Sequence, residues 1–227
     1  MLMTSLSIII PTMNEERSIG KVIDAIRESI PNSISYEVLI VDTDSKDRTR
    51  EIAASKGAVI IDEPRRGYGR AYKTGFEKAN GRIIATLDAD MTYPADKIPE
   101  LMRILESEDL DFITTNRMAL MDPGAMNFTH RLGNRVLSLT TRLLFRVKIR
   151  DSQSGMWIFK KEILPKLNLT SDGMALSEEL KIESFKKFRA KEVPIRYSPR
   201  VGEVKLNTWR DGTQNLKFLF KKRFGKK

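Results

Sequence analysis

The chain of 227 residues has no cysteine. That excludes disulfides, thiolate-bound zinc and thiol nucleophiles, and it fits a reducing compartment. Long apolar runs are missing too: none approaches the ~18–20 residues that a membrane-spanning helix needs. Leu6 to Ile10 is too short for the core of a signal peptide and ends at Pro11. There is no internal repeat and no low-complexity linker. The expectation is a protein of the cytoplasmic side, either free or lying on a membrane rather than crossing it.

What is present in excess is positive charge. Forty Lys and Arg against thirty Asp and Glu give a net charge of +10, and the pI is about 9.7. Such a balance implies an anionic partner: nucleic acid, a phosphorylated substrate or an acidic membrane surface. The length suits one domain, or one domain with a short appendage, and 41% hydrophobic residues suffice for an ordinary core.

Up to about Arg117 the apolar pattern alternates between two periods. Leu6–Ile10, Glu37–Val41, Ala58–Ile61, Arg82–Leu87 and Asp111–Thr115 read as strands. Between them, Ile19, Val22, Ile23, Ile26 and Ile30 recur at helical spacing. Further helices are predicted around Thr49–Lys56, Tyr68–Ala79 (stopped by Asn80-Gly81) and Ala95–Ser107. Strand–helix alternation predicts an α/β fold with a mostly parallel sheet covered on both faces.

Beyond Arg117 the pattern changes. Phe128, Leu132, Val136, Leu139, Leu143 and Val147 form an apolar stripe on one helix, and Arg131, Arg135, Ser138, Arg142 and Arg146 form a second. This suits either the headgroup region of a membrane or a solvated basic face on an ordinary core. Leu216, Leu219, Phe220 and Phe224 repeat the theme among six cations and no acid over 217–227. The expected division is a catalytic domain over 1–212 and a basic amphipathic tail over 213–227.

Chemistry concentrates where strands end. Asp88-Ala89-Asp90 follows the strand ending at Leu87, so two carboxylates spaced i, i+2 can approach one divalent cation and a diphosphate. Pro11-Thr12-Met13-Asn14-Glu15 follows the first strand, although Glu15 and Glu16 could equally complement a helix dipole. Asp42 after the second strand can accept from a base or ribose, or serve a turn. Arg65-Arg66-Gly67-Tyr68-Gly69-Arg70 opens a helix, where amides, dipole and guanidinium groups suit a diphosphate.

Together these segments resemble the family 2 glycosyltransferases of GT-A fold. Pro11-Thr12-Met13-Asn14-Glu15, Val41-Asp42 with Ser45 and Asp47, Arg66-Gly67-Tyr68-Gly69 and Asp88-Ala89-Asp90 carry the match in order along about 90 residues. Within the family the chain looks most like dolichyl- or polyprenyl-phosphate sugar synthases. Asn116-Arg117, Arg131-Leu132-Gly133-Asn134-Arg135, Asp151-Ser152-Gln153-Ser154-Gly155 and Gly202-Glu203-Val204-Lys205-Leu206 carry that narrower likeness. Two departures stand out: the paired acids after strand two are Asp42-Thr43 here, and the Gln of the mannosyl members is Thr92.

The resemblance implies inverting transfer of a hexose or N-acetylhexosamine from a UDP- or GDP-sugar to a polyprenyl or dolichyl phosphate, and the two basic amphipathic segments add the expectation that this happens at the cytoplasmic face of an anionic membrane. It implies Mg²⁺ or Mn²⁺ on Asp88 and Asp90, and a nucleotide-sugar site drawing on Pro11, Thr12, Asn14, Glu15, Asp42, Gly67, Arg70, Asp88, Ala89 and Asp90. Arg117 would reach the phosphates. Arg131, Arg200 and Lys205 would dock the acceptor phosphate, with Ser152 or Ser154 as hydroxyl donors. A phosphate monoester is largely dianionic at pH 7 and needs no base, which explains how one histidine suffices; His130 reads as structural. The alternative is a hydroxyl acceptor activated by Glu178 or Glu179, which otherwise open a helix capped by Ser177. A nucleic-acid partner leaves the ordered acidic and glycine motifs unexplained.

Overall fold

A computed structural model describes residues 5–202 and 208–225. The strands β1 (Leu6–Thr12), β2 (Tyr36–Asp42), β3 (Val59–Asp62), β4 (Ile83–Thr86), β5 (Phe112–Met121), β6 (Trp157–Lys160) and β7 (Ala190–Tyr197) form one sheet in the order β3-β2-β1-β4-β6-β5-β7. Pairing is parallel except around β6, which runs antiparallel to both β4 and β5. The helices are α1 (Ile19–Ser29), α2 (Thr49–Ser55), α3 (Tyr68–Lys78), α4 (Ile98–Ser107), α5 (Phe128–Phe145), α6 (Leu176–Lys187) and α7 (Thr208–Phe224).

Strand side chains alternate between faces, and the core divides accordingly. Leu6, Ile8, Ile10, Val38, Ile40, Ile113 and Ile158 join the helices α1, α2 and α4 on one face. Ile9, Leu39, Val41, Ile84, Phe112, Trp157 and Phe159 meet α3 and α6 on the other. Trp157 is fully buried and tilts against Tyr72 with ring centroids 5.0 Å apart. Both faces are thus covered, as the near-continuous apolar runs require.

The predicted strands and helices of the first half are present, with one refinement. Residues 95–107 begin as a 3-10 turn over Ala95–Lys97 and become α4 only from Ile98, with Pro99 in the first turn. The boundary expected between residues 212 and 213 does not coincide with any break, because α7 runs through it. Leu219 is fully buried among Leu137, Phe145, Val147, Ile149 and Ile182. Lys222 pairs with Glu179 at 3.1 Å and Glu183 at 2.9 Å. The second half of α7 is therefore docked on α5 and α6 rather than trailing from the domain.

Candidate active site

Loops from both halves of the chain converge at the carboxyl ends of β1 and β4 around a cleft of about 560 Å³. Pro11, Glu15, Asp88, Ala89 and Asp90 supply one wall. Arg117 from β5, His130 from α5 and Arg200 after β7 supply another. β4 ends at Thr86, so the chain leaves the sheet just where its two acids begin. Gly155 lets the start of β6 approach them: a Cβ there would lie 2.4 Å from the Tyr68 hydroxyl.

Asp90 is 2% exposed. Its Oδ1 accepts from the Thr92 hydroxyl at 2.6 Å and the Thr92 amide at 3.0 Å. Its Oδ2 lies 2.8 Å from Arg200 Nη2 as an ion pair, yet makes no hydrogen bond despite being buried. Burial and the neighbouring Asp90 charge push the Asp88 carboxyl well up from its ordinary range, against the pull of Arg200 and Arg117. Two crowded carboxylates and a buried oxygen short of a hydrogen bond fit a divalent cation. No cluster of three or more acid, His or Cys ligands occurs among the described residues. Two carboxylates with the rest of the shell drawn from phosphates and water is a normal arrangement for Mg²⁺.

Arg117 is 6% exposed, and its Nε and Nη2 grip Asp151 at 2.8 and 2.9 Å. Burial would raise the Asp151 carboxyl, but the charge and hydrogen bonds of Arg117, with the Lys181 ammonium, hold it below its ordinary range. The guanidinium also lies 5.3 Å from the Tyr197 ring centroid. Arg117 therefore reaches the cleft as a rigid, fixed charge. Lys181 is fully buried and pins the turn that carries Asp151, donating to the Asp151 carbonyl at 3.0 Å and the Ser154 carbonyl at 2.7 Å.

Several expected site residues do not line the cleft itself. Thr12 donates to Asp42 Oδ2 at 2.8 Å, and Ser45 bonds both Asp42 oxygens. Asp42 is 1% exposed, so its acceptors are engaged within the protein and organise the β1 and β2 ends. Asn14 sits at φ +56°, accepts from the Lys46 amide at 2.7 Å and ties the same two loops together.

The helix N-terminus at α3 is likewise committed. The Arg70 amide donates to the Asp172 carbonyl at 3.0 Å. At Gly67, where φ is +148°, a Cβ would lie 2.3 Å from that same carbonyl. The glycines let the 171–173 loop pack on the helix, and only Tyr68 of this motif lines the cleft. The Arg70 guanidinium is held by Glu63 at 3.1 Å. Glu63 is buried, accepts also from Arg65 and Thr74, and is held far below the carboxylate range, chiefly by Arg65. Nothing in its sequence context marked it.

On the other side, helical periodicity decides which residues enter. The cleft face of α5 reads His130, Gly133, Asn134 and Leu137, the i, i+3, i+4, i+7 pattern. Arg131 lies one residue off that face and is exposed; the helix carries it away from the cleft and brings His130 in. Lys205 lies outside the described residues. Ser152 and Ser154 are fully buried and bonded to Ser138 and Thr115.

The acidic pair on α6 does not face the cleft either. Glu179 accepts from the Thr170 amide and hydroxyl, the Ser171 amide and Lys222. Its role is to hold the 170–171 loop and α7. Glu178 is buried behind Gln153, which donates to it at 2.9 Å, and burial pushes its carboxyl up to about 8. Gln153 lines the cleft and accepts from Asn215 of α7 at 2.8 Å. Sequence reading passed over Gln153, Tyr93, Tyr197 and Asn215. Only Gln153 carried a signal, its place within Asp151-Ser152-Gln153-Ser154-Gly155.

A covered, mostly parallel sheet with paired acids beyond its central strand defines the GT-A class of glycosyltransferases. Glucosyl-3-phosphoglycerate synthase from Mycobacterium tuberculosis, solved with Mn²⁺, UDP and glucosyl-3-phosphoglycerate, has the same fold. It superposes with a TM-score of 0.78 over 97% of this chain and 80% of that one, at 20% identity. The chain belongs to glycosyl transferase family 2, whose sequence profile matches residues 7–167. The low-salt glycan biosynthesis hexosyltransferase Agl6 of Haloferax volcanii is 34% identical over 95% of the chain, which spans only 53% of that relative's length. A dolichyl-phosphate hexose transferase of the same organism is 30% identical over 95% of the chain and 92% of its own length. The protein is thus a family 2 glycosyltransferase related to dolichyl-phosphate hexosyltransferases.

Proposed function

We propose that this enzyme transfers a hexose or N-acetylhexosamine, with inversion, from a nucleoside-diphosphate sugar to a polyprenyl or dolichyl phosphate at an anionic membrane surface. One observation carries the reading: α5 presents opposite faces to the cleft and to the outside. Its outer face exposes Phe128 (78%), Leu132, Val136, Leu139 and Leu143 (70%), and α7 adds Phe220 and Phe224. Arg131, Arg135, Arg142, Arg146, Lys217, Lys221 and Arg223 are exposed among them. An apolar surface edged with cations, beside a cleft containing Arg117 and Arg200, suits a lipid whose head is a phosphate. No helix among the described residues is long and apolar enough to cross a membrane, and the amphipathic pair gives a peripheral route to it.

In this reading Asp88 and Asp90 would hold Mg²⁺ or Mn²⁺, whose charge would offset that of the diphosphate leaving group. Pro11, Glu15 and Ala89 line the donor side, with Thr12, Asn14 and Asp42 organising the loops that carry it and Gly67 and Arg70 supporting the α3 side. An oxygen of the acceptor phosphate attacks the anomeric carbon as the bond to the diphosphate breaks, and the nucleoside diphosphate leaves. The attacking group is already an anion, so neither Glu178 nor Glu179 is needed. Arg117 and Arg200 offset its charge within the cleft, and Arg131 and Lys205 are the further cations proposed for the acceptor phosphate. The names of the Haloferax relatives support a hexosyl product.

The test is a screen of UDP- and GDP-sugars with Mn²⁺ against polyprenyl phosphate in detergent. The expected product is an acid-labile glycosyl phosphate. Transfer only to hydroxyl acceptors, giving an acid-stable glycoside, would overturn the reading.

A further inference from the structure

His130 is the only histidine in the chain, and α5 carries it into the cleft beside the two buried-side guanidinium groups. The Asn127 side chain fixes this first turn by accepting from the His130 amide at 2.8 Å. The charges of Arg117 from β5, Arg200 from the segment after β7, Asp151 from the turn before β6 and Asp211 from α7 act on the imidazole. Asp151 is bound to Arg117 and the Arg200 guanidinium pairs with Asp90. Each of the two cations thus already holds a carboxylate of the protein.

We propose that His130 recognises a dianionic phosphate monoester in the cleft, taking up a proton from solvent as that group enters beside Arg117 and Arg200. The proposal rests on the lipid-phosphate reading and deepens it. In the protein alone, burial and then the Arg117 and Arg200 charges hold the imidazole pKa down, outweighing Asp151 and Asp211. The ring is therefore neutral at pH 7 and adds no further repulsion to an arginine pair. A dianion reverses the local field, and an opposite charge close by favours the protonated ring. The imidazolium then donates a charge-assisted hydrogen bond that a neutral ring supplies only weakly. Binding and proton uptake are reciprocal. Gly133, one turn further along the same face, leaves open space where a side chain would stand.

A lone histidine makes the test direct. In untagged protein labelled with ¹³C-histidine, a single ring resonance follows His130 through a pH titration. The midpoint should lie below the ordinary histidine value in the free protein, and farnesyl phosphate should raise it by about one pH unit, a tenfold preference for the protonated form. Farnesol should leave it unmoved, and UDP with Mg²⁺ should move it far less. His130→Gln should weaken farnesyl phosphate binding several-fold at pH 6 and not at pH 8.5. An equal rise with the same concentration of inorganic phosphate would support the phosphate site but assign it to free phosphate. An unmoved midpoint while other resonances report bound farnesyl phosphate would overturn the role of His130 and leave the acceptor reading intact. No spectral response to farnesyl phosphate anywhere would overturn both. A rise produced by UDP with Mg²⁺ alone would place His130 on the donor side and overturn the proposal.

Discussion

The two sides of the cleft are built by opposite means. On the strand side, polar groups are bonded to one another: Asp42 to Thr12 and Ser45, Asn14 to Lys46, Glu63 to Arg65, Arg70 and Thr74. On the α5 and α7 side, large apolar residues face outward beside unburied cations. A fully satisfied network is rigid and preorganised. An exposed apolar patch of this size marks a surface meant for a partner. One side is organised within the fold, apart from the Asp90 oxygen that suits a cation; the other is complete only against something else. Substitutions on the first should therefore act on chemistry and stability, and those on the second on where the enzyme sits.

The largest effect is expected at the acids. Asp90→Asn keeps an oxygen for the Thr92 hydrogen bonds but removes the charge that a cation needs. Turnover should fall at least ~100-fold, since a metal's charge stabilisation is worth several kcal/mol. Thermal stability should stay near wild type. Near-normal turnover at saturating Mg²⁺ or Mn²⁺ would put these acids back among turn residues.

Stability is the more sensitive measure at Asp151. Asp151→Asn leaves the buried Arg117 guanidinium without its counter-ion, which costs about 3–5 kcal/mol, read by urea unfolding at pH 7. The pH dependence gives the sign. A carboxyl depressed in the folded state contributes stability that is complete above its unfolded pKa near ~4 and is lost as pH falls through its lower folded value. The gap between variant and wild type should therefore be constant from pH 7 to about 5 and narrow only in stronger acid. A gap already closing near pH 6 would mean that the pair contributes through something other than charge.

The same contrast explains what the sequence made legible. The first half is parallel strands alternating with amphipathic helices, so a change of period marks each boundary, and the acids at 88 and 90 fall at a strand end. The second half hides its strands. β6 has four residues, too few to establish a period. β7 contains Pro194, which ordinarily argues against a strand. It is tolerated because β7 is an edge of the sheet, where one side needs no ladder partner. Arg131 and His130 show the limit of motif transfer: adjacent in sequence, they differ by about 100° around the helix axis, and only the fold says which one enters. Gly67 and Arg70 show another limit, because a helix N-terminus looks the same in sequence whether it awaits a phosphate or is capped by the Asp172 carbonyl.

Membrane-side substitutions should spare the chemistry. Replacing both Arg135 and Arg142 by Ala removes two exposed cations. At about 1 kcal/mol each near an anionic leaflet, binding to phosphatidylserine vesicles in low salt should weaken roughly 30-fold. UDP or GDP binding should be unchanged, and the difference should shrink as salt is raised. Equal vesicle binding by both proteins would leave the basic face as mere solvation.

The smallest effect sharpens the comparison most. Glu179 looks like a base in the sequence, and in the fold it is the anchor for the 170–171 loop and for Lys222 of α7. Glu179→Gln keeps an acceptor oxygen while removing the charge. Losing a charge-assisted bond in a buried setting should cost about 1–3 kcal/mol of stability, together with looser docking of α7. Turnover should change by about threefold or less, whereas loss of a true general base costs about 100- to 10,000-fold. Steady-state rates at saturating donor and acceptor, at a temperature well below the unfolding midpoint, separate the two. A near-complete loss of transfer with the fold intact would show that a carboxylate from α6 reaches the acceptor. The group attacked would then be a hydroxyl that must lose its proton, and the cations of the cleft would be serving the donor diphosphate alone.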